Sequence, residues 1–159
     1  WAESDCRRRM DVDMSDLQTL LDERDIVGVA IRYCRSLDTK HFDGLRDVFT
    51  PDATAQLGNP TVLDGIDTII DRCRTALERL DISQHLVGTH EVSVDGDTAT
   101  HACYLQAQHV RASAGGGANY LVGGRYTDDL VRSAAGWRIS HRTLTVMWTD
   151  GNVPVIRGD

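Results

Sequence analysis

The sequence predicts an α+β fold, with helices first and an antiparallel sheet after them. Two patterns predict it. Up to Leu80 the apolar residues mostly recur at three- and four-residue steps, as in Ile26, Val27, Ala30, Ile31, Cys34 and Leu37, which is the period of a helix with one buried face. From Ser83 onward nearly every segment reads as strand, in long runs divided by turn signals. Consecutive strands joined by short turns pair antiparallel, and a sheet curved around helices keeps a concave side for a ligand. At 159 residues the chain is about one domain, large enough to bury roughly 70% of its unfolded surface.

The elements follow in order. Residues 1–14 carry Arg7, Arg8 and Arg9 among acids and open without methionine, so they are read as an N-terminal extension; Met10 and Met14 offer natural starts. The folded domain is expected over 15–150 and a C-terminal tail over 151–159. Ser15 or Asp16 can cap a helix at Leu17, and Leu17, Leu20 and Leu21 lead into the Ile26 to Leu37 stripe with a bend expected near Glu23 to Asp25. A short helix from Phe42 to Phe49 should then bury Phe42, Leu45, Val48 and Phe49 and stop at Pro51. Asp52 to Leu57 reads as a strand, closed by Gly58-Asn59-Pro60 and paired with Thr61 to Leu63. Helix returns at Gly65 to Leu80, with Ile66, Ile69, Ile70, Cys73, Leu77 and Leu80 on one side. His85 to Val94, Thr98 to Ala112, Asn119 to Arg132 and Trp137 to Trp148 are the long strands. Asp95-Gly96-Asp97 and Ser133 to Gly136 make hairpin turns, and Ser113 to Gly117 a looser loop.

Composition removes several classes of function. A net charge of −7 argues against a nucleic-acid or anionic-membrane partner. No apolar run approaches the roughly eighteen residues that span a bilayer, and the N-terminus has no signal-type apolar core, so a cytoplasmic location is expected. Cys6, Cys34, Cys73 and Cys103 lie far apart and are read as reduced and mostly buried. His41, His90 and His101 lack metal-ligand spacing, and no glycine-rich phosphate loop is present, so no metal or other cofactor is expected.

Asp38 is the residue that asks for a partner. It follows directly on the apolar stripe, at a helix end that carries partial negative charge, where an unpaired carboxylate is costly. The plain alternative is that it caps the next helix.

Several strings across about residues 15–150 resemble the SnoaL-like branch of the nuclear-transport-factor-2-like superfamily. Tyr33-Cys-Arg-Ser-Leu-Asp38-Thr-Lys-His-Phe-Asp43 resembles the first active-site helix of the scytalone dehydratases and hexachlorocyclohexane dehydrochlorinases. Gln84-His85-Leu-Val-Gly resembles the segment that supplies their histidine. Gly123-Gly-Arg-Tyr-Thr127-Asp-Asp with Gly136-Trp-Arg-Ile-Ser-His-Arg142 is similar to the closing hairpin of the dehydrochlorinases, whose last arginine reaches the cavity. The resemblance implies a cone-shaped half-barrel of strongly curved, mostly antiparallel sheet closed by the N-terminal helices. It also implies an Asp38–His85 dyad, with the acid fixing the tautomer of a histidine that takes a proton.

Around that dyad, His109 is implied as an acid or leaving-group contact, on a strand face that reads His101, Cys103, Leu105, Ala107, His109. Tyr33, Tyr126, Arg142 and Trp148, with Arg125, are the other substrate-binding candidates, although strand parity does not say which of His141 and Arg142 points inward. Leu57 stands where the dehydratases use a tyrosine, which argues against scytalone as substrate. The expected function is a cofactor-free lyase, dehydratase-like or dehydrohalogenase-like, acting on a small and mostly apolar cyclic molecule. The alternatives are a ketosteroid-isomerase-like or polyketide-cyclase-like isomerase, and a domain that only binds a small ligand. Large apolar residues on both parities of the last two strands, such as Tyr120, Val122, Tyr126, Leu144 and Val146, predict a homodimer or homotrimer joined through the sheet.

Overall fold

The computed structural model describes residues 14–157. Helix α1 (Met14–Asp38) is followed by a short 3₁₀ turn (Phe42–Asp47), strands β1 (Phe49–Leu57) and β2 (Leu63–Asp64), and helix α2 (Ile66–Leu77). Strands β3 (Ile82–Asp95), β4 (Thr98–Val110), β5 (Asn119–Ser133) and β6 (Gly136–Gly151) then run as a meander, and a short helix α3 (Pro154–Arg157) follows. All six strands form one curved, unclosed sheet in the order β2-β1-β6-β5-β4-β3. Pairing is antiparallel except between β1 and β6, which run parallel. This is the α+β cone expected from the sequence, with the helices on the concave side.

Local differences from the sequence reading have physical causes. The bend expected near Glu23 is absent, and α1 runs unbroken for 25 residues. Asp22, just before that stretch, turns inward: its carboxylate accepts two bonds from Arg132 at 2.7 and 2.8 Å and one from Trp137 Nε1 at 3.1 Å. An acid satisfied in this way does not interrupt a helix. Pro51 does not end a helix but lies inside β1, in a stretch where the register against β6 shifts, so no ladder bond needs its missing N–H. Ile31 and Leu20 point away from the core, into a broad groove between α1 and β3. The segment expected as a tail over 151–159 contributes α3, whose Val155 is fully buried. The N-terminal extension and Cys6 lie outside the described residues.

Bulges bend the sheet. One falls between Gly88 and Glu91 of β3, where Thr89 adopts φ +54, and another between Gly123 and Gly124 of β5, opposite the extra residue Met147 of β6. A bulge bends its strand and shifts the inside–outside alternation by one residue. The concave face of β4 is buried at His101, Cys103, Leu105, Ala107 and His109, as its alternation predicts.

Candidate active site

Helix α1 delivers Asp38 to the start of β3. Asp38 Oδ1 lies 2.6 Å from His85 Nδ1, and Oδ2 accepts the His85 backbone N–H at 2.9 Å. An ionised carboxylate only accepts, so Nδ1 carries the hydrogen and Nε2 keeps its lone pair. Two bonds from one acid fix both the rotation and the tautomer of the ring, which is the arrangement a general base needs. Among the described residues Nε2 has no hydrogen bond. The capping alternative for Asp38 does not hold: the 3₁₀ turn starts after His41 with no side-chain cap.

The His85 ring, with 5% of its side chain exposed, faces a cavity of about 540 Å³. That volume suits a drug-sized ligand. Tyr33 and Leu37 of α1, Leu105 and Ala107 of β4, and Val122 and Tyr126 of β5 form its inner wall. Leu57 contributes an apolar surface, consistent with its departure from the dehydratase pattern.

His109 sits edge-on to His85, with ring centroids 5.7 Å apart and planes at 87°, and its buried Nδ1 has no hydrogen-bond partner among the described residues. Burial, with the neighbouring His85 adding to it, pushes the His109 ring down from 6.5 to about 4. The folded protein therefore holds it neutral where the unfolded chain would take up a proton, and folding is penalised progressively as pH falls from about 6.5 to about 4. Thermal melts across that window should show stability rising with pH, and His109→Gln should flatten the slope; an unchanged slope would place the titration elsewhere.

Arg142 points inward but does not line the cavity. Fully buried, it lies behind the cavity wall with its guanidinium carbon 4.1 Å from the Tyr33 ring centre and 4.3 Å from that of Tyr126. Its Nε and Nη2 donate to Asp128 at 2.7 Å each, and His101 Nδ1 donates to the same carboxylate at 2.9 Å. Burial alone would raise Asp128, but the Arg142 charge and these bonds outweigh it and hold the carboxyl below the usual range. Arg142 thus positions the two tyrosines. His141 faces the other way, 2.7 Å from Thr54 Oγ1.

Two more candidates fall outside the cavity. Trp148 should point inward by alternation from Leu144 and Val146, yet the extra residue Met147 inverts the parity and sends it to the convex face. There its ring covers Gly123, where a Cβ would come within 2.0 Å of it. Arg125 is likewise exposed on that face. In their place the fold recruits Arg72 and Ala76 of α2, Arg79 just beyond it, and Ile156 and Arg157 of α3. Arg72 and Arg79, seven residues apart and so two helical turns along one face, are a signal the sequence carried; the tail carried none.

Strand pairing also gathers residues that spacing kept apart. Ligand-type atoms of His90, His101 and Cys103 lie within 4.8 Å of one another. His90 Nδ1 meets His101 Nε2 at 3.0 Å and His101 Nδ1 is held by Asp128, so these imidazoles form a satisfied chain beside a buried arginine, and no metal role is assigned. Cys34, Cys73 and Cys103 are free and buried, and burial pushes their thiols up to about 12, 11 and 11, far from nucleophilic thiolates. Among the described residues no helix is long and apolar enough to cross a membrane.

A curved open sheet closed by helices is the fold of the nuclear-transport-factor-2-like proteins. Among them, the chain belongs to the SnoaL-like domain family, whose model matches residues 18–143. An uncharacterized protein of Mycobacterium tuberculosis is 32% identical over 143 residues, covering 86% of this chain and 92% of its own length. Terrestric acid biosynthesis cluster protein E of Penicillium crustosum is 30% identical over 142 residues, covering 86% and 90%. Among solved structures, the Kfla4162 protein of Kribbella flavida is 28% identical, with a TM-score of 0.77 over 84% of this chain and 95% of that one. A type 2 hexachlorocyclohexane dehydrochlorinase, at 13% identity and a TM-score of 0.72 over 92% and 97%, shares the fold.

Proposed function

We propose that the chain is a lyase that needs no cofactor and acts on a small, mostly apolar cyclic molecule, with His85 as base and Asp38 as its partner. The observation that carries this reading is the two-point grip of Asp38 on His85, which leaves Nε2 aimed at an apolar cavity. His85 Nε2 takes a proton from carbon, the C–H electrons become the new double bond, and the bond to a leaving group on the adjacent carbon breaks. The imidazolium gives its proton to a departing hydroxide, releasing water, or to solvent when a halide ion leaves, and the base is restored. Held neutral by burial, His109 is suited to a hydrogen bond with the leaving group and leaves the acid role to His85. The test is a screen of cyclic ketones, β-hydroxy carbonyls and halogenated rings for elimination and for solvent deuterium exchange at carbon. Loss of water or halide, with or without exchange, is the expected result; binding with neither exchange nor elimination would reject the reading.

Isomerisation is the second reading. The hydroxyl-bearing Tyr33 and Tyr126 lie in the cavity wall, where burial holds both phenols well above their ordinary range and so protonated, able to donate to an enolate oxygen. Products of unchanged mass would select it.

The convex face of the sheet is the proposed site of self-association. Leu86, Tyr104, Met147 and Trp148 are 61, 51, 58 and 43% exposed there around one shallow groove, a larger apolar surface than a solvated sheet face needs. Light scattering at micromolar concentration should report a homodimer or homotrimer, and Trp148→Glu should shift it toward monomer. A monomeric wild type would reject the proposal.

A further inference from the structure

We infer that this cavity takes an organic anion, whose apolar body reaches the His85–Asp38 pair and whose carboxylate or comparable acidic group rests at the mouth against Arg72, Arg79 and Arg157. The inference builds on the reading of the cavity as a substrate site. Its starting point is a charge anomaly. In a chain with 24 acidic and 17 basic residues, Arg24, Arg46, Arg74, Arg132, Arg138 and Arg142 each lie within 4 Å of a carboxylate. Arg72, Arg79, Arg157 and the exposed Arg32, Arg35 and Arg125 have no such partner among the described residues, but only Arg72, Arg79 and Arg157 share one cavity, the one that holds His85.

The fold brings these three cations together by separate means. Arg72 lies on α2 and Arg79 in the turn that follows it. Arg157 arrives through α3, which is anchored by the buried Val155 and clamped by a hydrogen bond from Arg79 Nη2 to the Ile156 carbonyl. Depth is ordered as well. His85 and His109 are buried at the inner end, Arg72 is half-buried, and Arg79 and Arg157 are exposed at the outer end, with Leu77 and Leu144 also in the wall. Gathering like charges with no counter-charge among the described residues is unfavourable, and a bound anion relieves it. A guanidinium fork matches a carboxylate in two parallel bonds, and a local positive mouth on an acidic protein steers anions to that one place.

The test uses two fluorescent probes that share an aromatic body, 1-anilinonaphthalene-8-sulfonate and the uncharged N-phenyl-1-naphthylamine. The sulfonate should bind about tenfold more tightly or better, the scale of one charge-assisted hydrogen bond. Arg72→Gln and Arg157→Gln should each weaken the sulfonate about three- to tenfold, and the triple replacement with Arg79→Gln should abolish the preference, with the neutral probe unchanged within about twofold. Added salt should weaken only the sulfonate. Ala76→Trp, which fills the cavity from α2, should remove both probes. The inference is overturned if the sulfonate fails to bind, binds no more tightly than the neutral probe, keeps its affinity in the arginine variants, or survives Ala76→Trp. The arginine variants carry the test alone if Ala76→Trp is unstable. None of these results depends on proton abstraction: arginine-dependent binding with neither deuterium exchange nor elimination would keep the anion site and reject the lyase, and the reverse would drop the anion site only.

Discussion

Replacing His85 by alanine should lower turnover on a true substrate by about 10² to 10⁴, the usual contribution of a positioned general base. No other described side chain offers a free ring nitrogen beside a carboxylate that fixes its tautomer in this cavity, so the loss should not be recovered from a neighbour. Asp38→Asn should cost nearly as much. The amide keeps the shape, but its NH₂ can turn toward Nδ1 and favour the tautomer whose hydrogen sits on Nε2, and it lacks the charge that stabilises an imidazolium. Affinity for a substrate-like ligand should stay within about tenfold in both variants, because the apolar wall and not the dyad supplies most of the binding. Deuterium exchange measured beside ligand binding separates the two effects. Exchange that persists unchanged in both variants would place the chemistry on other residues.

Asp128→Ala should be among the most destabilising single changes in the chain. It leaves the fully buried Arg142 with no counter-charge and takes away both of its hydrogen bonds, along with the one that orients His101. Breaking a buried pair from one side costs about 3–5 kcal/mol, a large share of the roughly 5–15 kcal/mol by which a domain of this kind is stable. At about 2–4 °C per kcal/mol the melting temperature should drop by about 10 °C or more. Replacing both partners, Asp128→Ala with Arg142→Met, should recover more than half of that loss, since no charge then stays buried alone. Denaturant titration of the two variants checks both statements. A loss below about 1 kcal/mol in the single variant would mean that Arg142 finds water or another acceptor.

Local pattern carries part of this fold and not the rest. From the sequence alone came the helix-then-sheet order, the positions of most turns, the buried face of β4 and an acid after an apolar stripe that needed a partner, which the family resemblance placed at His85, 47 residues later. These are readable because the periods of helix and strand are local, and an isolated acid beside an apolar face needs a partner wherever it folds. Tertiary structure decided the rest. The inward role of Asp22, next to the bend expected at Glu23 to Asp25, was not legible because its partner Arg132 is 110 residues away. Trp148 left the cavity because one extra residue in β6 inverts the strand's parity, and no periodicity announces a bulge. Arg142 rather than His141 went inward, because only Arg142 finds Asp128 opposite it in the register of β5 and β6. The mouth of the cavity was hidden for the same reason: Arg72, Arg79 and Arg157 come from a helix, the turn after it and the end of the chain, and only the folded sheet makes them neighbours.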